Sequence, residues 1–160
     1  MNLKSKYWLV LTLLLITVSC GFQPIYKAGS EKELLIFDLN FLNKASYESQ
    51  TTIKNTFQGS QSTSLYTINL SVIENQSALV TNPNGTVSKY RVEVIIDFKV
   101  NDSSSGKMIY ADISRGFSEY LVQTSEIETN DKYKQAIEIA AHEAVQMMSI
   151  KVQSNILQSK

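Results

Sequence analysis

The stretch "SKYRVEVIIDFKV", residues 88–100, alternates with a period of two: Tyr90, Val92, Val94, Ile96, Phe98 and Val100 share one side, while Arg91, Glu93, Asp97 and Lys99 share the other, interrupted by Ile95. Successive side chains of a strand point to opposite faces, so this pattern predicts a long strand with one buried face. Turn signals stand on both sides of it. Upstream, "NPNG" (82–85) offers Asn84-Gly85, a pair that accepts positive φ at a hairpin tip. Downstream, the Ser/Gly-rich "NDSSSGK" (101–107) returns the chain into "MIYADISRGFSEY" (108–120), where the alternation slips between Asp112 and Gly116 and predicts a bulge.

Outward from this meander, "SLYTINLSVIE" (64–74) sets Tyr66, Ile68, Leu70 and Val72 against Thr67, Asn69 and Ser71, a half-buried strand. "LLIFDL" (34–39) is a short apolar run that reads as another buried strand. Between them, "NKASYESQTTIKNTFQG" (43–59) is polar, lacks proline and ends in glycine, which predicts an amphipathic helix with Ala45, Tyr47, Ile53 and Phe57 facing inward. A strand-helix-strand unit of this spacing makes the first two strands parallel through a right-handed crossover.

The last element runs from a cap near Asn130 through residues 131–157, with Tyr133, Ile137, Ala140, Ala141, Ala144, Met147 or Met148, Val152 and Ile156 recurring at helical spacing. The order β-α-β-β-β-α predicts an α+β two-layer sandwich: a four-stranded, mixed, mostly antiparallel sheet with two helices on one face. Residues such as Ile95 and Ile113 are then left on the other face. Either a partner covers them, or a loop or the N-terminal segment does.

A chain of 160 residues is the size of one ordinary domain. Its fifteen basic and fifteen acidic side chains are balanced and scattered, so no stripe suited to nucleic-acid phosphates exists. The first nineteen residues obey another rule: Lys4 and Lys6 form a positive start, Tyr7 to Val18 an apolar run, and Ser19 a small residue before Cys20. That is the layout of a secretory signal, too short to cross a hydrocarbon core of roughly 30 Å as a stable helix. Its removal leaves thirteen basic against fifteen acidic side chains and takes away Trp8, the sole tryptophan. The expected organisation is residues 1–19 as signal, 20–33 as tether and 34–160 as one domain.

Catalytic patterns find little to build on. His142 is the only histidine, and Gln146 stands where a helical zinc motif needs its second one, so a His-pair metal site is excluded. No G-x-S-x-G elbow and no Gly-rich phosphate loop occurs. Glu126, Glu128 and Asp131 gather at the start of the last helix, where the helix dipole favours negative charge. No enzyme activity, metal or cofactor is expected.

The only cysteine, Cys20, directly follows the apolar run. This junction resembles the bacterial lipobox, in which the thiol carries diacylglycerol, the signal is cut before it and the new amine is acylated, as by palmitate. Val18 and Ser19 fit that pattern, while Thr17 replaces the usual aliphatic residue. Several acyl chains at about 0.8 kcal/mol per methylene would hold a domain at a bilayer. Phe22 in place of an inner-membrane retention aspartate implies delivery to the outer membrane. A spare thiol in an ordinary exported protein is the other reading.

Three stretches together resemble the lipopolysaccharide-assembly lipoprotein family, LptE, in its alphaproteobacterial form: "CGFQPIY" (20–26), "KYRVEVIIDFKV" (89–100) and the Ala-rich terminal helix 131–157. The resemblance implies a lipid-anchored outer-membrane protein facing the periplasm. It implies a domain that plugs the large β-barrel LptD, helps it assemble and assists lipopolysaccharide insertion. Anionic phosphates of that glycolipid would want cations, and Lys89 and Arg91 are the nearest to the 81–86 loop; a solvated outer strand face is the alternative for both. The alternative function is a stand-alone envelope lipoprotein that binds a small lipid or cell-envelope component.

Overall fold

A computed structural model describes residues 37–57 and 64–158. The expected signal 1–19, Cys20, the tether 20–33, Leu34 to Ile36 and the expected helix end at Gly59 lie outside the described residues. The elements are β1 (Phe37–Phe41), α1 (Tyr47–Phe57), β2 (Tyr66–Thr81), β3 (Val87–Asp102), β4 (Met108–Leu121) and α2 (Glu126–Gln158). They form one four-stranded sheet in the order β1-β2-β3-β4. β1 runs parallel to β2, and the other two pairings are antiparallel. The predicted α+β sandwich is the observed one.

The strand at 88–100 is central because its alternation gives both neighbours a buried row to pack against. Val92, Val94, Ile96, Phe98 and Val100 are all buried, together with Ile68, Leu70 and Val72 of β2 and Ile53 and Phe57 of α1. Burying each such side chain contributes about 1.5–3 kcal/mol, so this row dominates the stability of the fold. α2 supplies the rest of the core through Ala140, Ala144, Val145, Met148 and Val152. With 33 residues it is roughly 50 Å long, a match for the 16-residue strands β2 and β3. No helix among the described residues is long and apolar enough to cross a membrane.

Four local expectations change. First, β4 carries no bulge between Asp112 and Gly116; its pairing with β3 is continuous from Tyr110 to Leu121, and the register shift lies at Val100/Asn101. The alternation slips in sequence because the helix-facing positions of β4 are Asp112, Ser114, Gly116 and Ser118, opposite Phe98, Ile96, Val94 and Val92. Small residues are needed there: a Cβ built on Gly116 would lie only 2.6 Å from the Ala144 backbone nitrogen. The apolar Ile113 and Phe117 point the other way.

Second, β2 does not end at Glu74 but continues to Thr81, because the tight turn at 82–85 holds it in register with β3. Gly85 sits there at φ 84°, and its N–H donates to the Asn82 carbonyl at 2.9 Å. Third, α1 starts at Tyr47 under a cap from Ser46, whose Oγ accepts the Ser49 N–H at 3.2 Å. Tyr47 is therefore a first-turn residue, 78% exposed rather than inward, while Ala45 packs against the core from the preceding loop. Fourth, α2 begins at Glu126 rather than near Asn130, with Ser125 C=O accepting the Thr129 N–H. Met148, not Met147, is the buried methionine.

Candidate functional site

Both helices cover the same side of the sheet, so the odd-numbered positions of β2, β3 and β4 form an open face. Register fixes which residues become neighbours there. Ile73 of β2 pairs with Ile95 of β3, which pairs with Arg115 of β4, and Ile113 and Phe117 lie one step to either side of that arginine. Ile73, Ile113 and Phe117 are 48%, 44% and 47% exposed. Among the described residues nothing covers Ile113, and Ile95 is half-buried between its neighbours.

Ion pairs frame this patch. Arg115 reaches Glu93 at 2.9 Å across the β3–β4 pairing. Lys89 and Arg91, the two cations expected to meet glycolipid phosphates, lie on the same open face of β3 and share one carboxylate. Arg91 Nη2 donates to Glu119 Oε1 at 3.1 Å, and Lys89 Nζ contacts Glu119 Oε2. Hydrogen bonds from Lys89 and then Arg91 hold the Glu119 carboxyl below the usual carboxylate range. Two cations against one carboxylate leave a local excess of one positive charge, a modest attractor for an anion.

Two surface depressions adjoin these residues. One of about 420 Å³ is lined by Arg91, Phe117, Ser118 and Glu119. The other, about 410 Å³, runs between β4 and α2 and brings Lys89 and Lys132 beside Leu121 and Ile139. Cations next to apolar walls are the surface chemistry of an amphipathic anion. His142 stands exposed on α2 beside Gln146, 3.3 Å away.

Sequence reasoning found Lys89, Arg91, Ile95 and Ile113 but missed Glu119, Arg115 and Phe117. Equal steps from the 101–107 turn would set Arg91 opposite Phe117 and Glu93 opposite Arg115; the observed register, with its shift at Val100/Asn101, sets Arg91 opposite Glu119 and Glu93 opposite Phe117, a partnership the chain alone does not reveal. At the far end of the sheet a second group was missed. Tyr90 stacks on Tyr120 at 5.5 Å, Tyr120 packs on Tyr133 at 5.7 Å, and Gln76 Nε2 donates to the Tyr120 hydroxyl at 2.7 Å.

The sequence matches no protein-family profile and no curated protein. Solved structures do match. A protein from Caulobacter crescentus CB15 assigned as a lipoprotein superposes with a TM-score of 0.65 at 15% identity, over 79% of this chain and 94% of that one. Rare lipoprotein B from Shewanella oneidensis gives 0.57 at 12% identity, over 76% and 96%. A minor lipoprotein from Acinetobacter baumannii gives 0.56 at 14% identity, over 76% and 92%. At these identities the common property is the backbone arrangement, and this chain has the fold of these bacterial lipoproteins.

Proposed function

We propose that the chain is a lipid-anchored lipoprotein of the LptE type, held through Cys20 on the periplasmic side of the bacterial outer membrane. Its domain enters the LptD β-barrel and supports that barrel's assembly and the insertion of lipopolysaccharide. The observation that carries this reading is the fold, common to three bacterial lipoproteins over nearly their whole length. The position of Cys20 behind a secretory leader supports it. So does the open face, where ion pairs and short polar side chains surround a small apolar patch, a surface suited to a barrel lumen that is itself polar.

Purification of a tagged chain from detergent-solubilised outer membranes tests the proposal. Expected are stable co-purification of a large β-barrel and a first peptide that begins at Cys20 and carries acyl mass. A chain that still begins at Met1, carries no acyl group and brings down no barrel contradicts it. A second reading, a stand-alone lipoprotein that binds a small anionic lipid, is favoured by the Lys89, Lys132, Leu121 and Ile139 lining of the β4–α2 depression. Ligand-dependent stabilisation of the isolated chain with no barrel present separates the two.

A further inference from the structure

The two edges of the sheet are finished differently. Along β4 several outward backbone groups are occupied by side chains: the Ile113 N–H donates to Asp112 Oδ1 at 2.7 Å, and the Ile113 C=O accepts from Lys151 Nζ at 2.7 Å. The Phe117 N–H donates to Glu143 Oε2 at 2.7 Å, and the Leu121 C=O accepts from Gln123 Nε2 at 3.2 Å. Charged groups placed this way stop a foreign strand from pairing with the edge.

At the other edge, β1 pairs with β2 only from Tyr66 to Leu70. Leu42 N–H extends this by one bond to the Leu70 carbonyl. Asn43 then imitates a strand residue, its Oδ1 accepting the Val72 N–H at 2.9 Å and its Nδ2 donating to the Val72 C=O at 2.7 Å. Beyond this clasp the chain departs into α1, but β2 continues, still paired to β3 from Glu74↔Val94 to Ala78↔Tyr90. Counting in twos from Val72, the backbone groups of Glu74, Gln76 and Ala78 point outward. They have no hydrogen-bond partner among the described residues. Residues 75–80, "NQSALV", are exposed and contain no proline, lysine or other charge to guard the edge. Register shifts at Ala78/Val80 and Val80/Thr81 mark its far limit.

A cavity of about 330 Å³ lies beside Gln76, lined by Tyr120, Tyr133 and Glu126 among others. Glu74, whose Oε1 accepts from the Ser46 N–H and hydroxyl, and Glu48 do not line this cavity, but burial first, and then their two charges, push the Tyr133 hydroxyl above its usual range. Aromatic faces with a carboxylate beside them, here Glu126, are a seat for a cation.

We propose that the outer edge of β2 over Glu74–Ala78 is a strand-addition site. An extended segment of a partner polypeptide continues the line of β1 there and lays a lysine or arginine side chain toward the Tyr120–Tyr133–Glu126 cavity. Main-chain hydrogen bonds give such binding its affinity, and the seat for an alternate side chain gives it specificity. A second copy of this chain is a poor occupant. It would offer the same 74–80 stretch, which contains no basic residue. Pairing so short also buries far less than the ~1,000 Å² of a specific interface between folded partners. The inference is independent of which partner meets the open face.

The test uses the acylation-free Cys20→Ser chain and a phage-displayed peptide library, with counter-selection on the same chain carrying Ala78→Pro. Proline removes an outward N–H that β3 does not use, so the variant folds. Its melting curve and that of Gln76→Pro verify this. Expected are peptides rich in β-branched residues with a basic residue at an alternate position. They slow amide exchange at Glu74, Gln76 and Ala78 and bind each proline variant about tenfold more weakly, the loss expected for a broken edge pairing. The proposal is overturned by any of four results: no peptide is enriched over the proline variant, the bound peptide leaves those amides exchanging freely, the amides are already protected in the free chain, or they are protected only through dimerisation.

Discussion

Gly116 of β4 lies directly against Ala140 of α2: a Cβ atom built on the glycine would fall inside the contact radius of the Ala140 carbonyl oxygen and 2.6 Å from the Ala144 nitrogen. Both obstacles are helix backbone, which cannot rotate away as a side chain can. Gly116→Ala must therefore lift α2 off the sheet along the Ala136, Ala140 and Ala144 stripe. Overpacking of this kind costs about 3 kcal/mol. The melting temperature should drop by roughly 10 °C. A variant that melts with the parent would show that the helix does not sit this close.

How far the sequence speaks depends on whether a residue's neighbours are local. The alternation of 88–100 and 64–74 carries the sheet, because one buried face imprints a period of two. Residues 75–81 of β2 carry no such imprint, since both faces of the projecting hairpin are wet, and the strand persists there through turn geometry and pairing alone. β4 misleads for the opposite reason. Its helix-facing residues had to become small for α2, so polarity stopped reporting burial at Ser114 and Gly116. At the candidate site, the cations of β3 are visible in the chain, but Glu119 becomes their partner only once the register is known.

Asn43 holds both backbone groups of Val72 where β1 has run out. Asn43→Ala leaves a partly buried donor and acceptor without partners, a loss of about 1–3 kcal/mol. Urea unfolding should show a lower midpoint with an unchanged slope. Asn43→Asp should be worse than a neutral loss of one bond, because it keeps the acceptor but sets a carboxylate against the Val72 carbonyl.

Ser114 Oγ is buried under α2 and has no hydrogen-bond partner among the described residues. Ser114→Ala removes the desolvated hydroxyl and keeps the volume small enough for the close approach. Stability should rise by about 1 kcal/mol. Ser114→Val, by contrast, should destabilise by overpacking. If alanine destabilises as well, the Ser114 hydroxyl is hydrogen-bonded in solution and the expectation fails.

Acid should weaken the fold through Asp112 and Asp102. Hydrogen bonds from Lys151 and Tyr110 and from the Ile113 N–H lower the Asp112 pKa to about 2. Ser104 and Ser105 lower that of Asp102, in the β3–β4 turn, to about 2. A carboxyl whose folded pKa lies below its unfolded value leaves the native state with fewer bound protons. Its contribution is complete above the ordinary carboxylate range and disappears as pH falls through about 2. Stability measured by urea at neutral pH and at about pH 4 and pH 2.5 should therefore decline toward acid. Asp112→Asn should reduce stability most at neutral pH and least at the acid end. An equal loss at every pH would mean that packing, not charge, is what Asp112 contributes.

Glu119 occupies the two cations that a phosphate would need, and this makes it the sharpest probe of the open face. Exposed pairs of this kind contribute roughly 0–1 kcal/mol, so Glu119→Gln should leave the melting temperature nearly unchanged. What it frees is Lys89 and Arg91, raising the local charge excess from one to two. Binding to vesicles containing lipopolysaccharide, at fixed ionic strength, should strengthen in Glu119→Gln and weaken in the Lys89→Ala, Arg91→Ala double variant. Both differences should shrink as salt is added, because exposed charges beyond about 10 Å are screened at 0.1 M. Equal binding by all three proteins at low salt would remove Lys89 and Arg91 from any role with the glycolipid and leave the strand face merely solvated.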